Sequence, residues 1–229
     1  MNDLDRLRKE YKSREQRLTG QNLYSKDNPA YRNTIEQRRL ALERILLQQG
    51  IRDLSEIKVL EIGCGSGGVL KEFLNMGVKP NALHGIDLLF NRLLEARSFL
   101  PAAAILNADG QDLPFPTASF DFVIQYTAFS SVLDPEIKKN MAADMLRVLK
   151  PGGYVIWYDF WWNPKNKQTK GIKQPEIKRL FPSCNYQSTK ITLAPPISRL
   201  LAPFSEKLVL VLESFYFLNT HFLVLIAKQ

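Results

Sequence analysis

The chain has 229 residues, 45% hydrophobic and 24% charged, which suits one domain with a cap or an insertion. No apolar stretch is long enough to suggest a membrane span, and the charged start over residues 1–17 does not read as a secretory signal. The formal charge of +8 is uneven: residues 1–44 hold eleven basic against seven acidic residues, 45–160 ten against thirteen, and 161–229 ten against three. Nucleic acid, an acidic membrane surface or an anionic small substrate would each suit such an asymmetry, as would plain solvated lysines. The two cysteines, Cys64 and Cys184, lie far apart and give neither a disulfide framework nor a metal-ligand spacing, so a reducing cytoplasm is the expected compartment.

In chain order, Leu4, Leu7, Tyr11 and Leu18 allow a first helix laid against the domain, and residues 24–29 are turn chemistry. Residues 31–49 form a clear helix with Ile35, Leu42, Ile45 and Leu46 on one face and Gly50 as its stop. Val59-Leu60-Glu61-Ile62 is a buried strand that breaks into glycines, and a helix with Val69, Leu70, Phe73 and Leu74 inward starts at about Gly67. Strands follow at 82–87, 104–109 and 120–125, with a helix at 88–99 between the first two. A helix opened by Asp134-Pro135 runs to Leu149, then come a turn at 150–153 and a fifth strand at 154–158. Such alternation predicts a doubly wound parallel sheet, whose ligands sit beyond the carboxyl ends of the strands. Glu61, Asp87, Asp109, Gln125 and Asp159 all fall there. The last third reads differently: an aromatic, then basic loop at 160–174 (Trp161, Trp162, Lys165, Lys167, Lys170, Lys173), a short helix at 175–181, a strand near 186–193, a Pro-containing apolar segment at 194–218, and a terminal strand at 222–228 opened by His221.

The glycine loop admits two frames. Gly63, Gly65 and Gly68 fit the dinucleotide fingerprint, with Asp87 at the spacing of a ribose-binding acid. The other frame is Glu61-x-Gly63-x-Gly65-x-Gly67, in which the acid before the turn suits a cationic ligand better than a pyrophosphate. That frame resembles motif I of the class I S-adenosylmethionine (SAM) methyltransferases.

Asn107-Ala108-Asp109-Gly110, Leu113-Pro114-Phe115, Phe120-Asp121-Phe122-Val123-Ile124 and Arg147-Val148-Leu149-Lys150-Pro151-Gly152-Gly153 extend the likeness across residues 55–160. Together they resemble the small class I enzymes called methyltransferase type 11. The resemblance implies a Rossmann-like α/β fold with a seven-stranded, mostly parallel sheet and an antiparallel last strand. It divides the chain into a helical cap (1–50), a SAM-binding core (51–160) and a substrate-side segment that completes the sheet (161–229). It also implies that Glu61, Gly63, Gly65 and Gly67 line the methionyl side, that Asp87 with Leu88 meets the ribose, and that Asp109 with Gly110 meets the adenine. Gln125 and Tyr126 would stand near the methyl donor. Where many relatives carry a His pair after the fourth strand, this chain has Ser130 and Ser131.

The implied function is SN2 methyl transfer from SAM, governed by proximity, to a small anionic acceptor: a sugar, a lipid-linked compound or a secondary metabolite. Asp159 and His221 are the candidate catalytic side chains. A tRNA or rRNA methyltransferase is the alternative, an NAD-dependent oxidoreductase or an inactive SAM-binding protein the weaker ones. Nucleic acid is not the favoured partner, peripheral membrane contact is open, and the sequence leaves the oligomeric state undecided.

Overall fold

The computed structural model describes residues 2–18, 23–25, 27–163 and 166–228. Its seven strands are β1 (Val59–Ile62), β2 (Leu83–Asp87), β3 (Ala104–Asn107), β4 (Phe120–Tyr126), β5 (Leu149–Phe160), β6 (Cys184–Leu193) and β7 (Asn219–Lys228), in one sheet of order β3-β2-β1-β4-β5-β7-β6. The first five are parallel, and β7 runs antiparallel to both β5 and β6. This is the sheet that the resemblance implied. Strand order reverses between β1 and β4, where a doubly wound sheet opens its ligand crevice.

Helices cover both faces. On one face lie α2 (Pro29–Gln48), α3 (Gly68–Asn75) and α4 (Phe90–Phe99), with Leu42, Leu46, Phe73 and Leu93 packed on Val59, Phe122, Ile156 and Leu225. On the other lie α5 (Pro135–Val148) and α6 (Gln174–Leu180), with Met145, Val148 and Ile177 against Leu60, Val123, Trp157 and Val224. Caps explain two of these starts. The Asn28 carboxamide oxygen accepts the Ala30 N–H ahead of α2, and Asp134 accepts the Glu136 N–H ahead of α5, each with proline as the first helical residue.

The first helix, α1 (Asp3–Leu18), contacts the segments that follow β4 and β5, through Tyr11 at Ser131 and Arg6 at Gln168. Leu7 is buried in the main core, and Asp3 accepts the backbone N–H of Leu133 and Asp134 at 2.8 and 3.1 Å. Arg6 reaches the carbonyl of Ser131.

Several boundaries differ from the sequence expectation. The fifth strand begins at Leu149, because Lys150-Pro151-Gly152-Gly153 continues the strand with a register shift against β4, and Lys150 pairs with Asp121 at 2.8 Å. Strand β7 begins at Asn219, so His221 is inside it rather than at its start. Strand β3 ends at Asn107, which leaves Asp109 in the following turn. A helix that the sequence reading lacked, α7 (Pro195–Leu201), precedes α8 (Glu206–Glu213), and the two form the insert between β6 and β7. Prolines at 195 and 196 look like breakers, yet in a first helical turn their missing N–H costs nothing.

Candidate cofactor and acceptor site

The glycine loop leaves β1 with positive φ at Gly63, Gly65 and Gly67 (+77°, +51° and +79°), a path that L side chains resist. The Gly63 and Cys64 N–H groups return to the Ile86 carbonyl at 2.8 and 2.9 Å, tying the loop to the end of β2. A side chain at Gly65 would also displace the flexible end of Arg92. A Cβ there would stand 2.4 Å from Arg92 Nη2 of α4, whose guanidinium also lies 5.7 Å from the Tyr11 ring of α1.

Asp87 closes this loop from β2. One carboxylate oxygen accepts the Gly65 N–H at 2.8 Å and the other the Leu89 N–H at 2.8 Å. Leu88 between them is half-buried. Asp109 folds onto its own turn, accepting the Gln111 N–H at 2.9 Å, and Gly110 is buried against Met141 and Ile62.

Glu61 is 2% exposed, and its Oε2 has no hydrogen-bond partner among the described residues. Burial, then the neighbouring charge of Glu72, pushes its pKa well above the carboxylate range, while Arg38, Asp87 and Arg92 also act on it. Arg38 of α2 is ion-paired with Glu72 of α3 and lies 4.6 and 5.0 Å from the rings of Tyr126 and Tyr158. Burial opposes the Arg38 charge, yet Glu72 and the two tyrosines hold its pKa above the ordinary value. The fully ionised cluster thus holds three acids (Glu61, Glu72, Asp87) against two arginines (Arg38, Arg92). Arg38 and Glu72 were not foreseen as site residues. The signal was present, since Arg38 stands at helical spacing between Ile35 and Leu42, a charge inside an apolar stripe.

Beyond β4 the chain turns sharply. The Gln125 Oε1 accepts the N–H of Ala128 at 3.1 Å and of Phe129 at 3.3 Å, while its Nε2 is buried without a partner among the described residues. Thr127 has φ +59°, a strained position for a β-branched residue. A Cβ on Gly63 would lie 3.0 Å from that of Ala128, so this turn and the glycine loop meet.

The two candidate catalytic side chains sit on opposite faces. Asp159 is 1% exposed, and its oxygens accept the N–H of Ser130 at 2.9 Å and of Phe160 at 2.8 Å. Burial raises its pKa to about 6 against those bonds. His221 stacks on Tyr158 with centroids 4.7 Å apart and planes at 4°, and burial drives its pKa down to about 3. It is therefore a neutral ring packed beneath Phe160, 4.0 Å away. The Tyr158 hydroxyl lies 2.8 Å from the Thr192 Oγ1. Of the basic loop, Lys167, Lys170 and Lys173 are exposed, and Lys165 lies outside the described residues.

Residues 59–153 match the family described as Methyltransferase domain. The chain is 35% identical over 119 residues to a phthiotriol/phenolphthiotriol dimycocerosates methyltransferase of Mycobacterium ulcerans, covering 50% of this chain and 41% of that one. It is 34% identical over 109 residues to a fatty-acid O-methyltransferase of Mycolicibacterium smegmatis, covering 47% and 38%. The chain thus spans about two-fifths of the length of these curated relatives. In fold it is similar to a Thermotoga maritima SAM-dependent methyltransferase, a possible histamine N-methyltransferase, at 16% identity and TM-score 0.63, over 94% of this chain and 98% of that one.

The cradle fits SAM on its own chemistry. A buried carboxyl oxygen without a hydrogen-bond partner among the described residues accepts from an ammonium or stands against a sulfonium, and a cation placed there would favour the ionised form that burial opposes. A dinucleotide pyrophosphate would instead bring its anion beside Glu61. Residues 59–153 thus match a methyltransferase domain, set within a seven-stranded sheet of the methyltransferase fold.

Proposed function

We propose that this chain is a SAM-dependent methyltransferase whose acceptor is an amphiphile, with a lipid-like body and an anionic group. The observation that carries the cofactor side is Glu61, a buried carboxyl with an unpartnered oxygen beside the glycine loop. The lipid-like body is supported by the named activities of the phthiotriol and fatty-acid relatives. The anionic group is supported by exposed Lys167, Lys170 and Lys173 after β5.

When bound, SAM supplies an electrophilic methyl group on a sulfonium with a neutral leaving group. The protein's task is then to align and to exclude water. In this reading Glu61 holds the cationic methionyl end, and Gly63, Gly65 and Gly67 give backbone access. Asp87 keeps lone pairs for the ribose hydroxyls, with Leu88 beside them, and Asp109 with Gly110 flanks the adenine. Gln125 fixes the strained turn after β4, which sets Tyr126 and Thr127 at the reaction edge. Asp159 braces that turn through the Ser130 N–H, so its role is positioning rather than proton abstraction. His221 is neutral and packs as a ring. Helix α1, held by Asp3 and Arg6, keeps water from the strand ends.

The test has two arms. Calorimetric titration should give binding of SAM and S-adenosylhomocysteine but far weaker binding of NAD; tighter NAD binding overturns the cofactor assignment. Incubation with methyl-labelled SAM and fractionated bacterial lipids and aqueous metabolites should place label in the organic phase. Label confined to neutral, water-soluble products would overturn the acceptor class.

A further inference from the structure

Helix α8 is apolar on both sides. Val209 and Leu212 face inward with Ala202 and Leu193 onto α2 through Ala30. Phe204, Leu208, Val211 and Phe215 recur at helical spacing on the outer side, with Phe204 85% and Val211 56% exposed. The patch continues through ring contacts: Phe215 to Phe217 at 5.9 Å, Phe217 to Tyr216 at 6.1 Å, and Lys190 Nζ bridging the rings of Tyr216 and Trp161 at 5.9 and 4.3 Å. Leu200 of α7 adds a further side chain that is 67% exposed. A continuous apolar surface of this kind marks an interaction site.

The charges around it choose the partner. Both acids of the insert are engaged: Glu206 pairs with Arg32 at 2.6 Å, and Glu213 accepts from the Thr192 N–H at 2.8 Å and from Asn33. Arg199 and Lys207 are exposed and have no ion pair among the described residues. The rim is thus positive around an aromatic and aliphatic centre, with a lysine beside tryptophan and tyrosine. A second copy docked by a two-fold axis would bring these like charges together, which opposes association. An anionic bilayer complements both parts, taking the apolar ridge among its acyl chains and the bases at its headgroups.

We propose that the β6–β7 insert docks this protein on the surface of an anionic lipid bilayer, with Phe204 and Val211 leading the apolar ridge. Helix α8, with eight residues, lies in the interface and does not span it. The inference concerns the partner surface and does not need the methyltransferase reading to hold, since its readout is lipid binding alone.

Co-sedimentation with vesicles of phosphatidylcholine, with and without phosphatidylglycerol, tests it. The wild-type chain should partition onto the anionic vesicles and release as salt rises. Phe204→Ser with Val211→Ser should lower that partition about ten-fold or more. Arg199→Gln with Lys207→Gln should lower it by about five-fold per charge on anionic vesicles and hardly at all on neutral ones. Far-ultraviolet circular dichroism and the urea midpoint, followed in parallel, should be unchanged in all variants, which shows that they fold. Failure of the wild type to bind anionic vesicles overturns the proposal, as does equal partition of wild type and both variants. A concentration-dependent dimer in analytical ultracentrifugation that Phe204→Ser abolishes assigns the ridge to a second copy and equally overturns it.

Discussion

The two ends of the sheet were made under different constraints. From β1 to β4 the chain meets a ligand with its backbone, and this fixes residue types one by one: glycines at positive φ in the loop, acids at strand ends, Gln125 folded onto the next turn. From β6 to β7 the packing against the rest of the molecule is mostly apolar side-chain area, with Leu193, Ala202 and Val209 buried against Ala30. A site built from backbone approach is therefore written as a motif, while a surface built from side-chain area is written only as a pattern.

Strand β5 joins the two, pairing with β4 on one side and β7 on the other, and Trp157 fills the core under both. Its ring is fully buried, 4.7 Å from Phe129 and 6.0 Å from Phe181. If the ends fold as one unit, Trp157→Ala should cost about 3–5 kcal/mol in a single cooperative urea transition. Two separate transitions would break the comparison into two independent regions.

The next effect is confined to the motif end. Asp87 carries the Gly65 and Leu89 N–H groups and is the residue proposed for the ribose. Asp87→Ala should weaken S-adenosylhomocysteine binding by about 2–3 kcal/mol, read by calorimetry. The vesicle-binding variants of the insert should leave that affinity untouched. An Asp87→Ala protein that folds and binds normally would reduce this acid to a strand terminus.

What the sequence made legible follows the same division. The helix stripes of α2 and α3, the parallel strands and the acids at their ends were readable because each is set within a few residues. Arg38 stands out as a charge in an apolar stripe, but its pairing with Glu72 does not, because the pair joins two helices across 34 positions. Asp159 read as a candidate catalytic side chain because the sequence puts it just after the expected fifth strand, at the ligand edge. Only the fold brings the Ser130 N–H, 29 residues earlier, onto its carboxylate. The exposed side of α8 was equally hidden, since an apolar run gives no sign of which face the core will leave uncovered.

The two ends should also answer pH with opposite signs. Asp159 near the motif has its pKa raised by burial from 3.8 to about 6, so its contribution to stability is full below the lower value and is lost as pH rises through the higher. His221 in β7 is lowered by burial from 6.5 to about 3, so its contribution is full above the higher value and is lost as pH falls toward the lower. Each proton is worth up to about 1.4 kcal/mol per pH unit within its window. Urea titrations from acid to neutral pH should therefore find His221→Phe less acid-sensitive than wild type. An unchanged slope would mean that the ring charges without opening the stack on Tyr158.

The smallest expected effect sharpens the comparison most, because it sets two identical residues against each other on one helix. Val209 is fully buried against Ala30 and Leu193, and Val211, two positions on, is 56% exposed. Val209→Ala removes two methyl groups from a packed cluster, which should cost about 1.5–2.5 kcal/mol once the residual cavity is included. Val211→Ala removes the same two groups from the outer ridge, where the folded chain leaves them in water, so its cost should stay within about 0.5 kcal/mol. The difference has to come from burial, since helix propensity changes equally at both positions. Equal losses from the two variants would mean that the outer face of α8 is covered by the chain itself in solution, and the ridge would cease to be a surface.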